Sequence, residues 1–337
     1  MPALRYPHGK GFIDVQRYLN EKRAEATAGD IAAQNDLGWL YSEGIRVRKD
    51  GVEAAHWYQL AADKGDAHAQ GRLALIYETG LGVPVDAPKA VALYRTSAAT
   101  DPFSALQLAE LLRRGATGVE KNPAEAMKWY RVVAGSDALP ELRENAMARM
   151  AQLYHLGSGT AQDDAEAYLW FGMAQHANGD RNYSARVARE ALTAKLTPEV
   201  VVEGLRRLNT ATRNTPEPYG TIEIYNNAMD YYDGRNGRAI DMAKAAVWLR
   251  KAAEHGHAHA MSMLGDLYER GEGVEKNYPE SYFWYAVAAA RYESASPPQD
   301  SKDAHRAAAN VKAKGEFSPE KTAELDKRVA EWLPQPL

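Results

Sequence analysis

The chain has 337 residues, 45% of them hydrophobic, a formal net charge of -4 and no cysteine. So slight an acidic balance supplies no concentrated basic face for nucleic acid, and without cysteine there are no disulfides, thiolate metal sites or cysteine nucleophile. No stretch approaches the roughly 18 apolar residues of a membrane span, and Met1 to Lys10 hold no apolar run of a signal sequence, so the expectation is a cytoplasmic chain without membrane insertion.

Residues Gly11 to Ala28 read as one helix with Phe12, Val15, Tyr18 and Leu19 on a face, capping the open apolar end of the helices after it. From about Ile31 the chain is periodic. The aromatic pair Trp57-Tyr58 returns as Leu93-Tyr94 and Trp129-Tyr130 in steps of 36 residues, then as Trp170-Phe171, Trp248-Leu249 and Trp284-Tyr285. A fixed period of this size marks an array of stacked units. Three residues before each pair stands a small side chain, Ala54, Ala90, Ala126, Ala167, Ala245 and Ser281, on the same helical face. A small residue there admits a neighbouring helix while the aromatic fills the space beside it.

That helix is the second of a pair. The first reads Leu37-Gly38 with Tyr41, Leu73-Ala74 with Tyr77, Leu108-Ala109 with Leu112, Met150-Ala151 with Tyr154 and Leu264-Gly265 with Tyr268, and in the fifth copy Ala228-Met229 with Tyr232. Glycine inside a helix costs about 1 kcal/mol against alanine, so Gly38 and Gly265 predict helices in contact. Glycine turns join the two helices at Gly44, Gly80 to Val83, Gly115 to Val119, Gly157 to Gly159 and Gly271 to Val274, and Gly65 and Gly256 end second helices.

The string Leu73-Ala74-Leu75-Ile76-Tyr77, Gly80-Leu81-Gly82-Val83, Lys89-Ala90, Leu93-Tyr94 resembles the Sel-one-like repeat, a relative of the tetratricopeptide repeat; Met263 to Tyr268 with Gly271 to Val274 matches still more closely. The resemblance covers roughly residues 30 to 295. It implies an all-α, right-handed solenoid of about six stacked helix-turn-helix repeats with helical caps, and a protein that binds proteins. Many exported members of that family staple their helices with cysteines, which this chain lacks.

The expected organisation is a capping helix over 1–29, repeats one to four over 30–179, capping helices and a linker over 180–215, repeats five and six over 216–295, and capping helices over 296–337. Within it, Thr197-Pro198-Glu199 and Ser318-Pro319-Glu320 start equivalent capping helices, and 209–218 is the linker.

Three features invite chemistry. His255-Gly256-His257-Ala258-His259 is dense in metal-capable side chains, yet it aligns with the ordinary turn Lys64 to His68 and reads as solvated turn histidines. The Gly80 and Gly271 turns lack the preceding strand and the Gly-Lys-Ser/Thr of a phosphate loop. Asp163-Asp164 reads as helix capping rather than an acid pair. No catalytic residue, cofactor or metal is therefore assigned.

By analogy with tetratricopeptide arrays, a partner protein lies against first-helix positions left free by packing. Counted from the landmarks above, these are Asn35, Trp39 and Ser42; His68, Leu75 and Glu78; Phe103, Leu106, Glu110 and Arg113; and Asn145, Gln152 and His155. Trp39 fits exposure and core equally. In repeats five and six the count yields Glu223, Asn226, Asp230 and Asp233, then His259, Ser262, Asp266 and Glu269, five carboxylates that form either a solvated helix face or a groove attracting a basic segment. The leading reading is a non-enzymatic scaffold or adaptor. An immunity or regulatory protein for a secretion-system effector and an enzyme with a composite site acting on cell-wall material stand as alternatives.

Overall fold

The computed structural model describes residues 15–177, 183–212, 220–295 and 298–335. Among these there are seventeen helices and no strand. The helices fit an all-α solenoid of about six repeats with additional helices. The expected linker over 209–218 and the boundary at 215 fall largely on 213–219, outside the described residues, as do Gly11, Phe12 and Ser296-Pro297.

By compactness the helices form two units. The first holds α1 (Val15–Thr27), α2 (Ile31–Glu43), α3 (Gly51–Ala62), α4 (Ala67–Thr79), α5 (Ala87–Ser97), α6 (Pro102–Arg114), α7 (Pro123–Ala134) and α8 (Pro140–Leu156). Each helix packs on the next, and α6 also touches α4 and α8, so first helices of successive repeats form one surface. The second unit holds α9 (Asp164–Ala177), α10 (Tyr183–Thr193), α11 (Pro198–Ala211), α12 (Gly220–Asp233), α13 (Met242–Glu254), α14 (Ala258–Arg270), α15 (Tyr278–Ala295), α16 (Pro298–Lys314) and α17 (Pro319–Glu331). There α12 pairs with α13 and α14 with α15, and α15 is covered by α16 and α17.

The local grammar of a repeat is visible in its hydrogen bonds. An acid or amide caps most helix starts within the repeats: Asp30 accepts from Ala33 N at 2.8 Å, Asp66 from Ala69 N at 2.7 Å, Asp86 from Lys89 N at 2.9 Å and Asp241 from Lys244 N at 3.0 Å. Such a cap satisfies a donor the helix cannot, and is worth about 1 kcal/mol. Asp163 caps α9 in this way, bonding Glu166 N at 2.9 Å. Thr197 sits at its N-cap position without a side-chain bond, whereas Ser318 bonds Lys321 N at 3.1 Å, so the two capping starts differ in detail.

The first helix ends on a left-handed glycine, and the chain then returns to bond it. Asp50 N donates to Tyr41 O, Asp86 N to Tyr77 O, Asn122 N to Leu112 O, Asp241 N to Tyr231 O and Asn277 N to Tyr268 O, at 2.7 to 3.0 Å. The small residues ahead of the aromatic pairs, Ala54 through Ser281, are fully buried. A side chain built on Gly38 would meet the Tyr58 ring at 2.8 Å, and one on Gly265 the Tyr285 ring at 3.0 Å, which is the helix contact those glycines predict.

Candidate partner-binding faces

In the first unit the second-helix tyrosines pass through the slot left by glycine or alanine and deliver their hydroxyls to the first-helix surface. Tyr94 donates to Glu78 at 2.7 Å and Tyr130 to Glu110 at 2.8 Å. Burial raises both phenol pKa values above the ordinary tyrosine range, and the neighbouring carboxylate raises them further, so both remain protonated donors. Glu110 also accepts from Arg113 at 2.7 Å and Arg149 at 2.8 Å. Burial pushes its pKa up, but the bonds from Arg113 and Tyr130 and the Arg149 charge outweigh that and hold it below the usual carboxylate range. Arg114 pairs with Glu78, and Arg149 bonds Gln152 at 3.1 Å.

The positions expected to be free divide accordingly. Trp39 is 47% exposed, which settles it as surface rather than core. Gln152, Asn145 and His68 are exposed, and Leu75 is half-buried. Phe103 is roofed by Arg72, whose guanidinium lies 4.2 Å from the ring centre. Leu106, by contrast, is 6% exposed and belongs to the core, because its turn of α6 is covered by the packing of α4 and α8 on either side. Glu110 and Arg113 are bound into the lattice above. Asn35 bonds Asp66 Oδ1 at 3.0 Å, tying the cap of one repeat to the helix of the one before. Arg72, Arg114 and Arg149 were missed because a count of free helix positions does not say which cation reaches over which ring or acid.

In the second unit the fifth repeat corrects the sequence reading by one residue. The left-handed glycine that ends each first helix lies seven residues after its large landmark: Gly44 after Leu37, Gly80 after Leu73, Gly271 after Leu264. Counting back from Gly234 makes Asn227, Ala228 and Tyr231 the counterparts of Leu37, Gly38 and Tyr41, in agreement with the bond from Asp241 N to Tyr231 O. One residue turns a side chain by about 100° around the helix. In that register the counterparts of the positions counted in the other repeats are Ile222, Tyr225, Met229 and Tyr232 in place of Glu223, Asn226, Asp230 and Asp233, of which Asn226 and Asp233 are exposed. Ile222 is accordingly 40% exposed, while Asp230 lies inward, bonded by Asn236 at 2.9 Å with Arg238 at 3.8 Å. Glu223 meets Arg189 at 3.2 Å and Asp233 meets Arg235 at 2.5 Å.

The sixth repeat keeps its expected positions. Asp266 pairs with Arg270 at 3.0 Å and Glu269 with Lys314 at 2.5 Å, so all five carboxylates carry a cation from this chain. Burial, with Glu269 and Glu272 adding to it against Arg270, raises the Asp266 pKa above the usual carboxylate value. Beside it lies an aromatic group. Tyr225 stacks on His257 with ring centres 4.4 Å apart and meets His259 edge-on at 5.7 Å, while its hydroxyl reaches the Met263 sulfur at 3.6 Å. His257 is thus not a solvated turn histidine: its Nδ1 caps α14 by accepting from Ala260 N at 3.2 Å. Burial, then the charge of His259, lowers its pKa to about 4, so it stays neutral as a cap must. No cluster of three or more metal-capable side chains occurs among the described residues. None of the described helices is long and apolar enough to cross a membrane.

Comparison with known proteins bears on these faces. The Sel1 repeat family matches residues 31–66, 67–99, 102–132, 145–174, 228–257 and 258–292, more than half of the chain. No curated protein matches the chain significantly. Among solved structures, a protective antigen present in uropathogenic Escherichia coli strains, which displays an SLR fold, is 25% identical, with 92% of this chain and 66% of that one covered and a TM-score of 0.49. The chain thus spans just under two thirds of that antigen's length. A Sel1 repeat protein from Oxalobacter formigenes is also 25% identical, with 86% and 80% covered and a TM-score of 0.45. Repeats of this kind generally mediate protein–protein interaction, and the chain belongs to the Sel1 repeat family.

Proposed function

We propose that this chain is a non-enzymatic scaffold that holds a partner protein against the first-helix faces of its repeats. The observation that carries the reading is the way those faces are built in the first unit. Second-helix tyrosine hydroxyls fix the polar groups beneath, while Trp39 on α2, half-buried Leu75 on α4 and Gln152 on α8 are left toward solvent, with α6 touching both α4 and α8. A half-exposed tryptophan on a preorganised surface is a common energetic anchor for protein binding. In the second unit the corresponding face is aromatic, with Tyr225, Met229 and Tyr232 beside Asp266, Glu269 and Glu272, a chemistry suited to an apolar segment carrying a basic side chain.

The test compares proteins captured by the full chain, by Trp39→Ala and by Val132→Ala, whose residue is 45% exposed on the second helix α7. Partners identified by mass spectrometry should be depleted on Trp39→Ala and retained on Val132→Ala. Identical capture by all three would end the proposal.

A further inference from the structure

One arginine on the first-helix face of the first unit has no ion-pair partner among the described residues. Three other guanidinium groups there, Arg113, Arg114 and Arg149, pair with two carboxylates, Glu78 and Glu110. Arg113 and Arg149 divide Glu110, and Arg114 takes Glu78. Arg72 has no carboxylate among the described residues, and its Nε is buried without a hydrogen-bond partner. The residue is half-buried, so its charge has lost part of its hydration without gaining a counter-charge from its own chain.

Arg72 is also held in place. Its guanidinium lies over the Phe103 ring at 4.2 Å, a stacking that bridges α4 to α6 and presents a planar fork in one orientation. Its charge is felt by both buried hydroxyls nearby, Tyr58 and Tyr94, whose pKa values burial raises and Arg72 pulls part of the way back. Those hydroxyls belong to consecutive repeats, so Arg72 stands between them on the face.

Resting on the scaffold reading above, we propose that Arg72 is the docking point for an acidic side chain of an extended partner segment. A carboxylate meets the two terminal nitrogens of a guanidinium end-on through two parallel hydrogen bonds, the pairing this arginine lacks within its own chain. The acid is internal to the segment rather than a chain terminus, because the face continues on both sides of Arg72, toward Trp39 on α2 and toward Arg149 and Gln152 on α8. Residues flanking the acid are apolar where they pass Trp39 and Leu75.

The experiment probes an array of acetylated decapeptides of varied sequence, each made both amidated and with a free C-terminus, with the full chain, then measures the strongest binders by fluorescence anisotropy. Each binder should contain an Asp or Glu whose replacement by Asn or Gln weakens binding about 10-fold in the wild type. That discrimination should vanish in Arg72→Gln and shrink in Arg72→Lys, which keeps the charge but not the fork. Trp39→Ala should weaken every binder while preserving the acid-over-amide preference. Discrimination that survives Arg72→Gln, or tight binding found only for peptides with a free C-terminal carboxylate, overturns the inference and leaves the scaffold reading standing. Binders indifferent to both Arg72→Gln and Trp39→Ala, or an array without binders, overturn both.

Discussion

The two units apply one repeat plan to opposite chemistry. In the first, the groups delivered to the first-helix face are tyrosine hydroxyls and arginines around Glu78 and Glu110; in the second, they are Tyr225, Met229, Tyr232 and the His257–His259 pair beside Asp266. The contrast is sharpest at the carboxylates. Glu110, given three donors, has its pKa lowered, while Asp266, buried beside two acids with Arg270 alone paired to it, has its pKa raised. A solenoid permits this because each repeat owes its stability to its neighbours and not to what its exposed face carries.

The framework common to both units should be the most fragile part. Gly82 (φ 73°) lies on the backbone of Gly51, and Gly273 (φ 71°) occupies the same place against Met242. A β-branched side chain meets both backbone strain and a collision there, so Gly82→Val and Gly273→Val should each cost about 3 kcal/mol or more in urea unfolding. A loss below about 1 kcal/mol at either would show that the crossing is not shared.

The tyrosines should separate the units next. Tyr94→Phe removes a donor from Glu78, whose side chain is 10% exposed, and should cost about 2 kcal/mol, as hydrogen bonds to buried charges do. Tyr225→Phe gives up only a 3.6 Å approach to a sulfur and should cost less than about 0.5 kcal/mol. Equal losses would erase the distinction between a polar lattice and an aromatic stack.

Acidity should split them by sign. Glu110 has a folded pKa below its unfolded value of 4.5, so it contributes stability that is present above pH 4.5 and is lost as pH falls through the folded pKa. Asp266 has a folded pKa above 3.8, so ionising it works against folding as pH rises through that value. Glu110→Gln should therefore destabilise at pH 7 and less so in acid, whereas Asp266→Asn should leave stability at pH 7 unchanged or higher; melting temperatures at pH 7 and pH 4 read both. A loss at pH 7 for Asp266→Asn would refute the unfavourable burial of its charge.

The smallest effect concerns His257. With its pKa lowered to about 4 from 6.5, it contributes stability that is complete above pH 6.5 and fades as pH drops toward 4. Asparagine caps a helix at any pH, so His257→Asn should lie within about 1 kcal/mol of wild type at neutral pH and flatten the decline between pH 6.5 and 4. An unchanged pH profile would remove His257 from the cap.

Much of this architecture was open to reading from periodicity. The aromatic pairs, the small residues before them and the glycine turns locate all six repeats, because each must solve the same packing problem. The fifth repeat slipped by one because Asn227 stands where other copies have Leu or Met, and Ala228-Met229 imitates the landmark one position late. The signal that places it was in the chain, since Gly234 keeps the seven-residue interval to the turn. Leu106 and His257 were misjudged for another reason, that burial depends on what neighbouring helices cover.

Spacing alone dictated helix pairs, their number and the turns between them, since these derive from local backbone preference and a recurring apolar pattern. Pairing was decided elsewhere. Whether a carboxylate meets an arginine, whether a guanidinium such as that of Arg72 is left without one, and whether a histidine stays neutral depend on side chains dozens of residues apart along the chain. Such distances are closed only when the helices stack.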